Sequence, residues 1–394
     1  MAVNAQDAAP KAALLYDAKF RSILYQIITL ALLVAFIAFL ATNTINNLEK
    51  RGIATGFEFL NHPAGFGVPF SLIEYSEAST YGRAFVVSVL NTLFVSACGI
   101  VLATILGFIL GVARLSPNWI IARIATVYVE VIRNVPLLLQ ILFWYVGVLS
   151  ALPVLRNSIN IGDSIFLNNR GFYTPVPVAE PGFMAIPIAF VIGVIGASLV
   201  GRWAKKRQEA TGAQFPVFLT GTGLIIGLPV LAAIVTGFPW TMEYPELKGF
   251  NFRGGFVIIP EFAALLFALT LYTAAFIGEI VRAGIQAVSH GQTEAAHALG
   301  IRPGPTMRLV IIPQAMRVIV PPLTSQYLNL TKNSSLAAAV GYPDLVHMFT
   351  GTVLNQTGQA LETIGMMMLV YLTISLSISA FMNWYNARIA LVER

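Results

Sequence analysis

The chain has 394 residues, of which 57% are apolar and only 11% charged, with a mean hydropathy of +0.75. A soluble domain carries roughly 25% charged residues, so a water-facing surface of the ordinary kind, a long disordered tail and an acidic solvating region are excluded. The formal charge of +6 rests on 24 Lys and Arg residues spread along the chain. Most of them flank apolar runs, which fits membrane orientation rather than a phosphate-binding patch, and no nucleic-acid partner is expected.

In chain order, the first uncharged run extends from Ser22 to Leu48. It is too long for the apolar core of a signal peptide, and Ile45-Asn46-Asn47 offers no small-residue cleavage site, so Ile23 to Leu40 reads as a retained first crossing. Residues 41–80 then form a polar and aromatic segment outside the membrane. Further uncharged runs span 84–113, 134–155, 181–201, 210–242 and 262–278. Each of these approaches the roughly 20 residues needed to cross about 30 Å of hydrocarbon. A seventh run, 318–331, is interrupted by Lys332 and resumes at 336–340, and the last is 363–387. The expectation is an all-α polytopic membrane protein with about eight transmembrane helices.

Charge sets the orientation. With the N-terminus inside, eight crossings return the C-terminus inside. The inner side then holds Lys11, Lys19, Arg21, Arg114, Arg202, Lys205, Lys206, Arg207, Arg282, Arg302, Arg308, Arg317, Arg388 and Arg394, with Arg123 and Arg133 nearby. The outer side holds Lys50, Arg51, Arg83, Arg156, Arg170, Lys248 and Arg253. Arg202 to Arg207 is the firmest anchor, because it is a short basic loop between two strong apolar runs. The outer loops 151–180 and 236–259 are rich in Pro, Gly and aromatics. The inner segment 282–317 is too polar to span, and Gln286 to Leu299 reads as a short amphipathic helix ended near Gly300.

Several groups invite a chemical reading. Lys332 stands beside Asn329 and Asn333 in an apolar run, and an intramembrane lysine is costly unless solvated or paired. A translocation path is the default reading; contact with a substrate carboxylate, pairing with an acid of another helix and snorkelling to an interface stay open. Glu130 and Arg133, and likewise Glu279 and Arg282, are three residues apart and suit structural ion pairs on one helical face. His290 and His297 flank Glu294 without the His-Glu-x-x-His zinc spacing, and Cys98 is the only cysteine, so no metal site or other cofactor is expected. Gly107 and Gly111 form a small-xxx-small pair that permits close helix approach. Gly221-Thr222-Gly223 lacks the lysine of a phosphate loop, so the chain is not expected to hydrolyse ATP.

The inner segment reads Glu294-Ala295-Ala296, then Gly300, then Val310-Ile311-Ile312-Pro313. This spacing resembles the EAA, three residues, G, nine residues, I-x-L-P signature of the permease subunits of binding-protein-dependent ABC importers. Val310 and Ile312 replace the isoleucine and leucine, both mild departures. The run Tyr272 to Ile285, the stretch Pro313-Gln314-Ala315-Met316-Arg317 through Leu323, and Lys332-Asn333-Ser334-Ser335-Leu336 resemble the polar amino-acid (histidine/glutamine-type) permeases. So does Tyr128 to Leu138, although Asn134-Val135 departs from the glycine or Ser-Thr usual there. Over its full length the chain is most similar to the Q-type permeases of general L-amino-acid uptake systems.

The resemblance implies a type I importer permease core of five helices, at about 84–150 and 260–390, with one added N-terminal helix and an inserted pair around 181–235. The domain division is then 1–80 for the N-terminal helix and periplasmic loop, and 84–390 for the permease domain, with its coupling segment at about 283–317. It also implies ATPase coupling through Glu294, Ala295, Ala296, Gly300 and Pro313. The implied partners are a cytoplasmic ABC ATPase dimer, a homologous permease in a heterodimer and a periplasmic binding protein delivering L-amino acids, in a bacterial inner membrane with both termini cytoplasmic. The rival reading is a self-contained secondary transporter, which predicts inverted halves and uptake without an ATPase; a non-transporting scaffold explains the hydropathy but not the spaced pattern.

Overall fold

A computed structural model of the chain describes residues 18–50, 52 and 55–389. The expected charges Lys11, Arg51 and Arg394 and both chain ends lie outside the described residues. The helices are α1 (Ala18–Lys50), α2 (Tyr81–Arg114), α3 (Trp119–Asn134), α4 (Leu137–Leu142), α5 (Ala185–Thr211), α6 (Val217–Val235), α7 (Pro260–Gln286), α8 (His290–Ala298), α9 (Pro303–Thr306), α10 (Ile312–Asn333), α11 (Leu354–Thr357) and α12 (Ala360–Ile389). Among the described residues, α1, α2, α5, α6, α7 and α12 are long and apolar enough to cross a membrane. A seventh span exists if α3 and the stretch Leu137–Leu149, bent by 106° at a break, count as one.

The chain is therefore an all-α polytopic membrane protein with six, or up to seven, long apolar helices, where the sequence reading counted eight. Two places account for the difference. The uncharged run 134–155 is not one straight helix, because Pro136 lacks an N–H and ends α3 just before it. The buried Gln140 donates to the carbonyls of Ile132 and Val135, both at 3.0 Å, satisfying groups that the break leaves without helical partners. The second place is α10, a helix of 22 residues. It carries Arg317, Lys332, Pro321 and Pro322 and falls outside the set of apolar spans.

α7 is the central helix. Its buried residues Leu265, Leu269, Ile277 and Val281 form one core with Val95 and Ala103 of α2 and Ile319, Leu323 and Leu330 of α10. Glycine sets the spacing of α2 against α7. A Cβ on Gly107 would meet Ile277 Cγ2 at 2.5 Å, and one on Gly111 would meet Val281 Cβ at 2.6 Å and the Gly278 carbonyl at 2.8 Å. The same device brings α10 against α7, since a Cβ on Gly284 would collide with Ile319. A second core joins Phe59, Tyr81 and Val87 to Leu345, Phe349 and Met367.

Residues 55–80 are packed rather than loose. Phe70 lies 6.0 Å, centroid to centroid, from both Phe94 and Phe262, and the Gly56 N–H donates to Glu362 at 2.7 Å. The loops expected over 151–180 and 236–259 fold into short antiparallel ladders. Strands β1 (Ile159–Ile161), β2 (Ile165–Asn168), β3 (Gly171–Thr174) and β8 (Phe256–Ile258) form one sheet in that order. β4 (Val176–Ala179) pairs with β5 (Trp240–Glu243), and β6 (Glu246–Lys248) with β7 (Asn251–Arg253). Pairing of β3 with β8 and of β4 with β5 ties the chain before the α5–α6 hairpin to the chain after it. Within the hairpin, Gly193 sits where a Cβ would meet the Leu224 carbonyl at 2.5 Å.

Substituting Gly111→Ala forces α2 and α7 apart against backbone as well as side chain. It should lower stability by about 1–3 kcal/mol, read as a fall in the apparent melting temperature of the detergent-solubilised protein. Gly223→Ala, in open space within α6, should leave the melt unchanged or slightly raised. Indistinguishable melts for the two variants would refute the close-packed seam.

Candidate functional site

The inner segment expected to couple the protein to a partner forms its own helix. The chain leaves α7 after Gln286, turns through Ala287–Ser289 and starts α8 at His290. The helix thus begins four residues later than the sequence suggests, because α7 continues unbroken through Gln286. Ala296 is buried, whereas Glu294, Ala295, His297 and Leu299 are exposed. Gly300 adopts φ +72°. Its N–H donates to the His297 carbonyl at 2.9 Å, and the Ile301 N–H reaches back to the Ala296 carbonyl at 3.0 Å. These two bonds make a Schellman ending, which requires the left-handed conformation that glycine adopts without strain. Space around Gly300 is open, so the requirement is conformational and not steric.

Glu294 accepts from or shares a hydrogen bond with His290 Nδ1 at 3.1 Å, one turn earlier on the same exposed face. Gln314 donates to Gln292 at 3.1 Å and ties α8 to the first turn of α10. Pro313 occupies that first turn, directly after the π-helical turn Met307–Ile311 that leads into α10. A groove of 620 Å³ lies between these elements, lined by Leu115, Ile285, Val288, Thr293, Met307 and Ile311. Leu299, at 79% exposure, is the feature that sequence reasoning passed over.

Behind α8, a charge cluster joins three helices. Arg114, at the end of α2 and largely buried, pairs with Glu279 of α7 and lies 3.7 Å from Glu130 of α3. Glu279 also pairs with Arg282 three residues on, and Arg282 donates to Gln286 at 2.6 Å. The expected Glu279–Arg282 pair is therefore present, but the expected Glu130–Arg133 pair is not. Arg133 turns to α7 and stacks its guanidinium 5.0 Å from the centroid of the Phe276 ring. Glu130 is left to Arg114, which arrives from another helix. No local spacing rule pointed to Arg114 as the centre of this cluster; it stood in the sequence as one inner charge among many.

Asn329, Lys332 and Asn333 lie on one face of α10, spaced by three and four residues. Asn329 and Lys332 are exposed and Asn333 is half-buried. The same face continues through the exposed Ser325, Pro322 and Val318, while Ile319, Leu323 and Leu330 face the core. None of the three polar side chains has a hydrogen-bond or ion-pair partner among the described residues. A second polar feature, missed by the sequence reading, follows α10. Asp344 is fully buried, accepts from the His347 N–H at 2.8 Å, and its carboxyl is pushed up to about 7 by burial. Around it, Asn91 donates to the Pro343 carbonyl at 2.9 Å and Thr92 Oγ1 accepts from the Leu345 N–H at 3.0 Å. This network fixes the link between α10 and the second core.

Residues 99–391 match the family described as binding-protein-dependent transport system inner membrane component. This range holds α8, its glycine ending and the charge cluster, and it exceeds half of the chain. The chain belongs to this family. Members of the binding-protein-dependent permease family are non-catalytic membrane components paired with separate ATPase subunits, which sets aside the self-contained transporter. The chain is similar to the general L-amino acid transport system permease protein AapQ of Rhizobium johnstonii, with 53% identity covering 96% of this chain and 95% of that protein. It is 54% identical to the putative amino-acid ABC transporter permease protein YhdX of Escherichia coli K12, over 95% of each chain. It is 48% identical to the glutamate/glutamine/aspartate/asparagine transport system permease protein BztB of Rhodobacter capsulatus, over 97% of this chain and 96% of that protein.

In this permease, Arg114→Leu removes the shared partner of two carboxylates, one of them only 27% exposed. The loss should amount to about 1–3 kcal/mol of stability. Glu130→Gln breaks only the long contact to a carboxylate that is 56% exposed and should cost less than about 1 kcal/mol. Thermal melts of the two variants check the ordering; equal losses would show that Arg114 is not the hub.

Proposed function

We propose that this chain is the permease subunit of an ATP-driven importer of L-amino acids, set in a bacterial inner membrane with both termini cytoplasmic. The observation that carries the coupling role is α8. It is a short helix set off by its own turn, ended by a glycine in the left-handed conformation and tied back to α10. A helix of this kind transmits a displacement because it is rigid; a flexible link would absorb it. Glu294, Ala295 and Ala296 form its body, with the buried alanine allowing close approach to the membrane helices, and the exposed Glu294 and Leu299 face outward toward a cytoplasmic ATPase. The substrate class rests on the full-length similarity to permeases named for general L-amino-acid transport and for glutamate, glutamine, aspartate and asparagine transport.

In this reading α10 completes the permease core as its remaining crossing, and the five-helix core takes in α2, the bent α3–α4 pair, α7, α10 and α12. α1 and the α5–α6 hairpin are the additions. The unpartnered polar stripe of Asn329, Lys332 and Asn333 faces a homologous permease across the translocation path, which gives Lys332 the hydration or counter-charge that an intramembrane ammonium needs. A periplasmic binding protein delivers the substrate to the β-strand side. ATP-driven closure of the ATPase pair then moves α8 and, through α7 and α10, the helices around the path.

Reconstitution of the permease with its sister permease, ATPase and binding protein in proteoliposomes tests this reading. Glu294→Lys or Gly300→Pro should reduce ATP-driven amino-acid uptake at least about tenfold while leaving binding-protein affinity for the substrate unchanged. Normal uptake by both variants would overturn the coupling role. Lys332→Ala should change the apparent KM or the maximal rate for at least one accepted amino acid; unchanged kinetics for every accepted substrate would remove it from the path.

A further inference from the structure

The α5–α6 hairpin has a property that the transport role leaves unused. The two helices pack on each other, and within α5 only Gly193 and Ala204 are buried. The apolar part of α5 runs from Ala185 to Gly201, so at 1.5 Å per residue Arg202 stands about 26 Å from its start and Arg207 about 33 Å. That places Arg202, Lys205, Lys206 and Arg207 at headgroup depth beside a hydrocarbon core of about 30 Å. All four are exposed. None of them has an ion-pair or side-chain hydrogen-bond partner among the described residues.

Their placement around the helix follows from its pitch. Ala204 is buried, on the side that meets α6. Arg202 and Lys206, four residues apart, lie on the side away from it, with Lys205 adjacent. Trp203 and Arg207 share a third arc: the guanidinium lies 5.3 Å from the centroid of the Trp203 ring. Trp203 in turn meets Phe215 edge-to-face at 5.3 Å. The acid within reach on α5 is Glu209, also exposed, so the four basic groups keep a net charge of about three. An indole at the boundary, apolar helix on one side of it and bare cations on the other, is the arrangement of an interfacial anchor.

We propose that this end of the hairpin binds the phosphate headgroups of anionic phospholipids, with Trp203 and Phe215 seated among the upper acyl chains. The inference rests on the inner placement of Arg202–Arg207 in the proposed topology. Charge complementarity selects the occupant. Lipid surrounds a hairpin that packs chiefly on itself, and the anionic headgroups of the inner leaflet lie at the depth of the unpaired cations. Arg207 contributes both charge and shape, since its stacking on Trp203 holds the guanidinium at the rim of the apolar surface.

The test uses the full-length permease in its complex, reconstituted in vesicles of phosphatidylcholine with either spin-labelled phosphatidylglycerol or spin-labelled phosphatidylcholine. The fraction of motionally restricted label gives the relative affinity of the two lipids for the protein surface. The native protein should prefer phosphatidylglycerol, and the quadruple variant R202Q/K205Q/K206Q/R207Q should lose about tenfold or more of that preference. Because removing all four charges also alters insertion signals, K205Q/K206Q, which keeps two arginines, should show an intermediate loss. The arginine-for-lysine variant K205R/K206R should retain the preference. No preference in the native protein, or an unchanged preference in both glutamine variants, overturns the proposal. Displacement of the lipid signal by inorganic phosphate at constant ionic strength also overturns it, by showing a site for free anions. Loss of ATP-driven uptake with the lipid preference intact would instead count against the importer reading alone.

Discussion

The close approach of α2 and α7 is the constraint on which the other elements depend. Gly107 and Gly111 remove the atoms that would hold the two backbones apart, and Ile277 and Val281 fill the space so created. This fixes the register as well as the distance. With Gly111 set against Val281, the end of α2 brings Arg114 beside Glu279, and the charge cluster forms at the end of α7 from which α8 departs. A buried arginine is tolerable only where carboxylates meet it. The packing of small residues deeper in the bundle therefore decides whether the ionic joint nearer the surface can exist.

α7 also passes that order to its other neighbours. Gly284 admits Ile319 of α10, Phe276 receives Arg133 of α3, and the Leu271 carbonyl accepts from Tyr128 at 2.9 Å. In the proposed coupling role, motion delivered at α8 meets a rigid column rather than a set of independent helices. The carbonyls at the Pro136 break are held by Gln140, so even the interruption between α3 and α4 is a fixed corner.

What the sequence made legible follows the range of the interactions involved. The spaced pattern from Glu294 to Pro313 is local, so its helix, its glycine ending and its proline were readable before any fold was known. Long uncharged runs identified α1, α2, α5, α6, α7 and α12 for the same reason. The bend at Pro136 was obscured because α3 carries Arg123, Glu130 and Arg133 and so does not look like half of a span. α10 was visible only as an interrupted run, since Lys332 and the paired prolines dilute its hydropathy. The exchange of Arg133 for Arg114 as the partner of Glu130 is tertiary: three-residue spacing permits a pair, but the seam between α2 and α7 supplies a better-placed guanidinium. The β-strands are three or four residues each, too short for alternation to declare them.

The short β-strands have a consequence for the connectivity of the chain. Thr174 and Phe256 face each other across the β3–β8 ladder, while everything from 175 to 255, including both hairpin helices, lies between them. The two edges of the interval are thus already neighbours, as in the neck of a bag drawn shut. A short turn joining them would leave the ladder intact and the helices α2, α7 and α10 untouched. The hairpin is in this sense a graft, held at its base by a ladder that closes without it.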